Sequence, residues 1–176
     1  MNKVLQDILS QALRDDPALR HEAALELSLL IEKHSPRRDS EGFYKLLLRP
    51  KLISIVLTED EVKELIGEIG RIVLSDKCTP TMVLALSKSA SLEALEYLLA
   101  FLCSDGPQRD KESIWQAVIG TRIFSTVQRD NVIYDKVFSL FRKYKLEDSL
   151  RRLGNEYGDE MRIYAQKILD RIAQAN

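Results

Sequence analysis

Apolar residues recur along this chain at three- and four-residue intervals, and no stretch alternates apolar and polar residues long enough to argue for a sheet. Val4, Leu5, Ile8, Leu9, Ala12 and Leu13 form one stripe, and Leu19, Ala23, Leu27, Leu30 and Ile31 form a second. Val62, Leu65, Ile66, Ile69, Ile72 and Val73 fall within a single ~120° arc of a third helix. Leu92, Leu95, Leu99 and Leu102 stripe another, followed by Ile114, Trp115, Val118 and Ile119, then Ile133, Val137, Leu140, Phe141 and Tyr144, then Leu146, Leu150 and Leu153. A stripe on one helix cannot be buried by that helix alone, so neighbours must stack to make a core. The spacing predicts an all-α chain.

The punctuation agrees. Asp16 precedes Pro17, an N-cap followed by proline at the first helical position. T-E-D-E from Thr58 is a capping box, with Glu61 placed to reach the Thr58 amide. Thr79-Pro80 repeats the cap-then-proline device, and Asp110 and Asp130 are read as further caps. Ser104-Asp105-Gly106-Pro107 stops one helix, Gly154 suits a left-handed C′ position, and the last helix begins near Gly158 and Asp159. His34 to Gly42 is polar and rich in breakers, hence a loop, and Pro50 kinks or divides a helix from Phe43 to Leu57. About ten helices in five antiparallel pairs result, with second members starting near residues 16, 58, 91, 130 and 159. Gly67 and Gly70 lie inside a helix at a cost of about 1 kcal/mol each, which a closely approaching neighbour backbone explains.

A short pattern recurs near the two ends. Leu19-Arg20 is followed by Ala23 and Leu27, and Met161-Arg162 by Ala165 and Leu169, with Asp16 and Asp159 just ahead. This pattern resembles the second helix of HEAT/armadillo-like repeats. The resemblance implies a single domain over 1–176, a small α-solenoid (α-α superhelix), with an irregular helical bundle of the same helices as the alternative. The intervals between second members, about 29 to 42 residues, overlap the 34 to 47 of helical repeats. Arg20 and Arg162 are then expected in the internal packing of the stack.

With 26 basic and 27 acidic residues the net charge is −1, which argues against a dedicated nucleic-acid binder. Cys78 and Cys103 lack metal-ligand spacing and read as reduced thiols. His21 and His34 form no zinc motif and read as surface or capping residues, and G-E-I-G at Gly67 has no Lys-Ser/Thr partner. Polar residues break every apolar run at the N-terminus, so neither a signal peptide nor a membrane span is expected, and a cytoplasmic location follows. No enzyme, cofactor or metal site is expected.

What remains is charge on surfaces. Glu61, Glu64 and Glu68 project from one face, about 120° from their helix's apolar stripe. Arg142, Lys143, Arg151 and Arg152 make the basic counterpart, with Lys145 beside them and Arg37, Arg38, Lys45, Arg49 and Lys51 elsewhere. These acids and bases are the candidate partner-binding residues of a non-enzymatic protein-interaction module or scaffold, in a regulatory or immunity role. The alternative is a nucleic-acid-binding helical-repeat protein of the DNA glycosylase type, but the lone Trp115 on an apolar stripe and the neutral total speak against it. Tyr134, Phe138, Phe141 and Tyr144 are expected to pack the core.

Overall fold

A computed structural model describes residues 2–35, 49–104 and 109–175. The helices are α1 (Lys3–Ala12), α2 (Pro17–His34), α3 (Pro50–Ile53), α4 (Glu59–Val73), α5 (Pro80–Lys88), α6 (Leu92–Cys103), α7 (Lys111–Ser125), α8 (Tyr134–Lys143), α9 (Leu146–Glu156) and α10 (Asp159–Ala175). The described residues contain no strand, so the chain is all-α. The His34–Gly42 loop beyond Ser35, the helix expected from Phe43 up to residue 48, and Arg37, Arg38 and Lys45 lie outside the described residues, as do residues 105–108. Pro50 opens the single turn of α3 at its first position.

Local chemistry sets most boundaries. The Asp16 carboxylate accepts from the Ala18 and Leu19 amides at 2.8 and 3.3 Å. Thr58 Oγ1 accepts from the Glu61 amide at 3.2 Å while Glu61 Oε2 accepts from the Thr58 amide at 3.0 Å, closing the capping box. Thr79, Ser91 and Asp110 cap α5, α6 and α7 in the same way. Two expected signals act elsewhere. Asp130 caps nothing: two turns intervene, α8 starts at Tyr134, and the Asn131 side chain accepts from the Ile133 amide. Gly154 sits inside α9 rather than after it, and the absence of a side chain there serves the close approach of α10, since a Cβ would lie 3.3 Å from Arg162 Cα. The left-handed glycine is Gly158, at φ +88°.

The helices form two rows. α2 packs on α5, α5 on α7 and α7 on α10. Lys88 Nζ, at the end of α5, donates to Glu32 at the end of α2 at 2.5 Å. Ser87 Oγ of α5 meets Gln116 O of α7 at 3.5 Å, and Cys78 near the start of α5 lines one cleft with Ser113 near the start of α7. Arg171 of α10 donates to Ser125 O and Val127 O at the end of α7, at 3.0 and 3.1 Å, while Tyr164 meets Trp115 a few turns earlier. Starts lie by starts and ends by ends, so these four helices run in one direction. α4 and α6 make a second row, with α8 and α9 packed on α6, and α1 lies on α2.

The second members of the pairs therefore differ from expectation. α2 and α10, which carry the recurring Arg-Ala-Leu pattern, do share a row, but the helices after Thr58 and Ser91 (α4 and α6) belong to the other. Among the described residues α5 and α7, not α4 and α6, continue the row between α2 and α10. Arg162 also departs from expectation. It is exposed and pairs with Asp159 at 2.7 Å, whereas Arg20 is half-buried with its Nε enclosed.

Glycines allow the closest contacts. A Cβ on Gly70 would overlap the Tyr97 ring, so the close neighbour in this helix is a side chain, not the backbone expected. A Cβ on Gly120 would overlap Ser87 and lie 3.0 Å from Leu98 Cδ1. Gly120→Ala is expected to destabilise the fold by about 1–3 kcal/mol through overpacking, and Ser87→Gly in the same chain to recover part of it. Urea unfolding of the single and double variants checks this. Glu61 titrates below its ordinary value of 4.5, held there chiefly by the Thr58 amide. A lowered folded value contributes stability above the unfolded value that is lost as pH falls through the folded one. Thr58→Ala should cost about 1 kcal/mol through the lost side-chain cap on the Glu61 amide. The cost should be nearly the same at neutral and at acid pH, because the Thr58 amide that holds the Glu61 carboxylate stays, read from denaturation at the two pH values.

Candidate interaction surface

Because α2, α5, α7 and α10 run side by side in one direction, each turns the same side of its helix outward. On α5 that side is Thr81, Leu84 and Lys88, spaced by three and four residues; every other position from Met82 to Ser87 is buried. On α7 the uncovered arc holds Trp115, Ile119, Arg122 and Ile123, centred on Ile119. On α10 it holds Ile163, Tyr164 and Lys167. Ile123 and Ile163 are 40% and 54% exposed, and Leu25 on α2 is 41% exposed. Large aliphatic side chains thus stand open on successive helices of one row, beside the partly exposed Trp115 and Tyr164.

Tyr164 organises the α7–α10 end of this face. Trp115 meets its ring edge-on, with centroids 4.8 Å apart. The Arg122 guanidinium lies over the ring at 5.0 Å and the Lys167 ammonium at 4.9 Å. Such cation–ring contacts hold both charges in place without neutralising them. The spacings follow from the helices: Trp115 and Arg122 are seven residues apart on one side of α7, and Tyr164 and Lys167 three apart on α10. That spacing is legible in the sequence, but which helices lie side by side is not, so sequence reasoning missed Arg122, Tyr164, Lys167 and Ile163 as a group.

The expected charged candidates lie in the other row. Glu61 is held in its capping box, Glu68 pairs with Arg71, and Glu64 and Arg152 each have a polar or electrostatic partner. Lys143 of α8 meets Glu96 of α6 at 3.1 Å and Arg151 meets Glu147 at 3.8 Å, while Arg142 is exposed. The acids sit on α4 and the bases on α8 and α9, on either side of α6. Lys145 links α8 to α9 in a left-handed conformation, φ 51°.

The histidines and cysteines take quiet places. His21 is exposed. His34 Nδ1 donates to Leu30 O at 2.9 Å and its Nε2 accepts from the Leu57 amide at 3.1 Å, so the ring is used on both nitrogens. Lys33 beside it donates to Ile53 O and Ile55 O, both at 2.5 Å. Together they fasten the α3–α4 connection to the end of α2. A groove of about 800 Å³ opens here between the end of α2 and the starts of α4 and α6. A smaller cleft of about 400 Å³ holds Cys78, Arg109, Asp110 and Ser113. Burial pushes the Cys78 thiol up to about 11, and Cys103 upward as well. No group of three metal-ligating side chains occurs among the described residues, and no described helix is long and apolar enough to cross a membrane. Phe138 and Phe141 are buried, and Tyr134 and Tyr144 pack against the core.

No protein-family model, curated protein or solved structure matches this chain. With its pKa near 11, Cys78 should react with iodoacetamide at pH 8 at least ~100-fold more slowly in the folded chain than in urea. Mass-spectrometric time courses measure the ratio.

Proposed function

We propose that this chain is a non-enzymatic protein-interaction module, a short helical-repeat stack of the HEAT/armadillo kind that presents the outward face of α2, α5, α7 and α10 to another polypeptide. The observation that carries this reading is the open aliphatic and aromatic strip: Ile123 and Ile163 stand 40% and 54% exposed beside the half-buried Trp115 and Tyr164. Exposed apolar side chains grouped on one face mark association surfaces, whereas single scattered ones do not. Large side chains at the centre and polar groups at the edge match the make-up of interface hot spots. The thiols are pushed upward by burial and both nitrogens of His34 are engaged, which supports binding over nucleophilic catalysis. Nucleic-acid binding has less support, because the net charge is −1 and the Tyr164 ring is already engaged by Trp115, Arg122 and Lys167.

A photo-crosslinking residue placed at Ile163 should capture a polypeptide in the native cell, while one at Leu74, equally exposed but outside this face, should not. Ile163→Asp should leave the fold within about 0.5 kcal/mol of the parent and abolish capture at a neighbouring label. Capture from Leu74 alone, or recovery of nucleic acid from Ile163, would overturn the reading.

A further inference from the structure

Resting on that reading, we infer that the partner is an acidic amphipathic polypeptide segment, seated so that its apolar side chains cover Ile123 and Ile163 and a carboxylate bridges Arg122 and Lys167. Both cations lie within 5.0 Å of the centre of one ring. They are therefore closer to each other than the ~10 Å over which charges remain unscreened at 0.1 M salt. Neither cation forms an ion pair among the described residues. What sets them apart from other cations without an ion pair, such as Arg142, is that both stand on one ring among exposed aliphatic side chains. The two cations repel each other, and an anion placed between them relieves that repulsion while gaining two charge-assisted hydrogen bonds.

The surroundings specify the rest of the segment. The cations stand among aliphatic side chains, so the anion must belong to a chain that also carries apolar groups. A bare polyanion would leave Ile123 and Ile163 in water. The Tyr164 ring is already engaged by Trp115 and both cations, which disfavours its use for stacking a nucleic-acid base. Glu112 and Glu160 are exposed near the starts of α7 and α10, one turn before Trp115 and Tyr164. Asp170 is exposed one turn after Lys167, so acids flank the two cations on both sides and the segment's carboxylate is confined to the span between them. On the α5 side Lys88 is already paired with Glu32 and adds no free cation.

The test is selection of a random peptide display library on the immobilised full chain, with binding of the selected peptides then read by emission of Trp115, the single tryptophan. Enrichment of peptides that combine Asp or Glu with aliphatic or aromatic residues is expected. Arg122→Gln/Lys167→Gln should weaken them at least ~10-fold and steepen their loss no further with salt, while Arg142→Gln/Arg151→Gln should leave them unchanged. Enriched peptides that are uncharged or basic, or that survive Arg122→Gln/Lys167→Gln yet are lost in Ile163→Asp, overturn the acidic partner and leave the binding face standing. No enrichment, or tighter binding of an oligothymidylate than of any peptide, overturns both.

Discussion

The arrangement depends on the burial of α5. This nine-residue helix touches α2, α4, α6 and α7, and Met82, Val83, Ala85, Leu86 and Ser87 are all enclosed. No isolated helix of that length is stable in water, so its structure comes from its neighbours. In return it gives α2 and α7 a surface to pack on, which brings helices far apart in sequence into one row. Ser87 shows how close this packing is: its hydroxyl donates to Val83 O in its own helix and reaches Gln116 O in α7, where Gly120 makes room. The outward face exists because every other side of α5 is used.

A second set of contacts fastens the ends of this row. Lys33 and His34 hold the backbone around α3, Ser35 Oγ donates to Lys88 O at 2.5 Å, and Lys88 holds Glu32. Nearby, the buried carboxylate of Glu26 takes the guanidinium of Arg49. These polar braces sit where a helix end leaves carbonyls without intrahelical partners, and cationic side chains are favoured there. They explain why a chain with so little catalytic equipment keeps a lysine and a histidine side by side.

Much of the fold was legible in the sequence. Asp16, Thr58, Thr79 and Asp110 capped the helices they were expected to cap, since a side chain three residues from an amide acts locally. Most stripe residues reached the core for the same reason. Leu13, however, is 51% exposed, and Trp115 and Ile119, expected on an apolar stripe, face outward because α7 buries Ile114 and Val118 instead. What failed was long-range. Which helices share a row depends on contacts between residues far apart in sequence, and Gly154 was misassigned because the demand on it comes from Arg162 in another helix. The charged candidates on α4, α8 and α9 were visible as runs of like sign. Glu147, four residues before Arg151, is a partner that helical spacing points to, but nothing in a linear reading says that Lys143 meets Glu96. The Tyr164 group was hidden most completely, because two of its four members come from α7 and two from α10.

The shared direction of α2, α5, α7 and α10 gives the molecule two unlike rims. Every peptide dipole in the row points the same way, so partial positive charge gathers along one edge and partial negative along the other. The first edge is met by the oxygens of Asp16, Thr79, Asp110 and Asp159; the second by Lys33, His34, Lys88 and Arg122 in the last turns. Four side-by-side dipoles oppose one another, and the side chains at each rim counter that strain. Any segment laid across the row therefore meets an electrical gradient along its own length, and has one preferred way round.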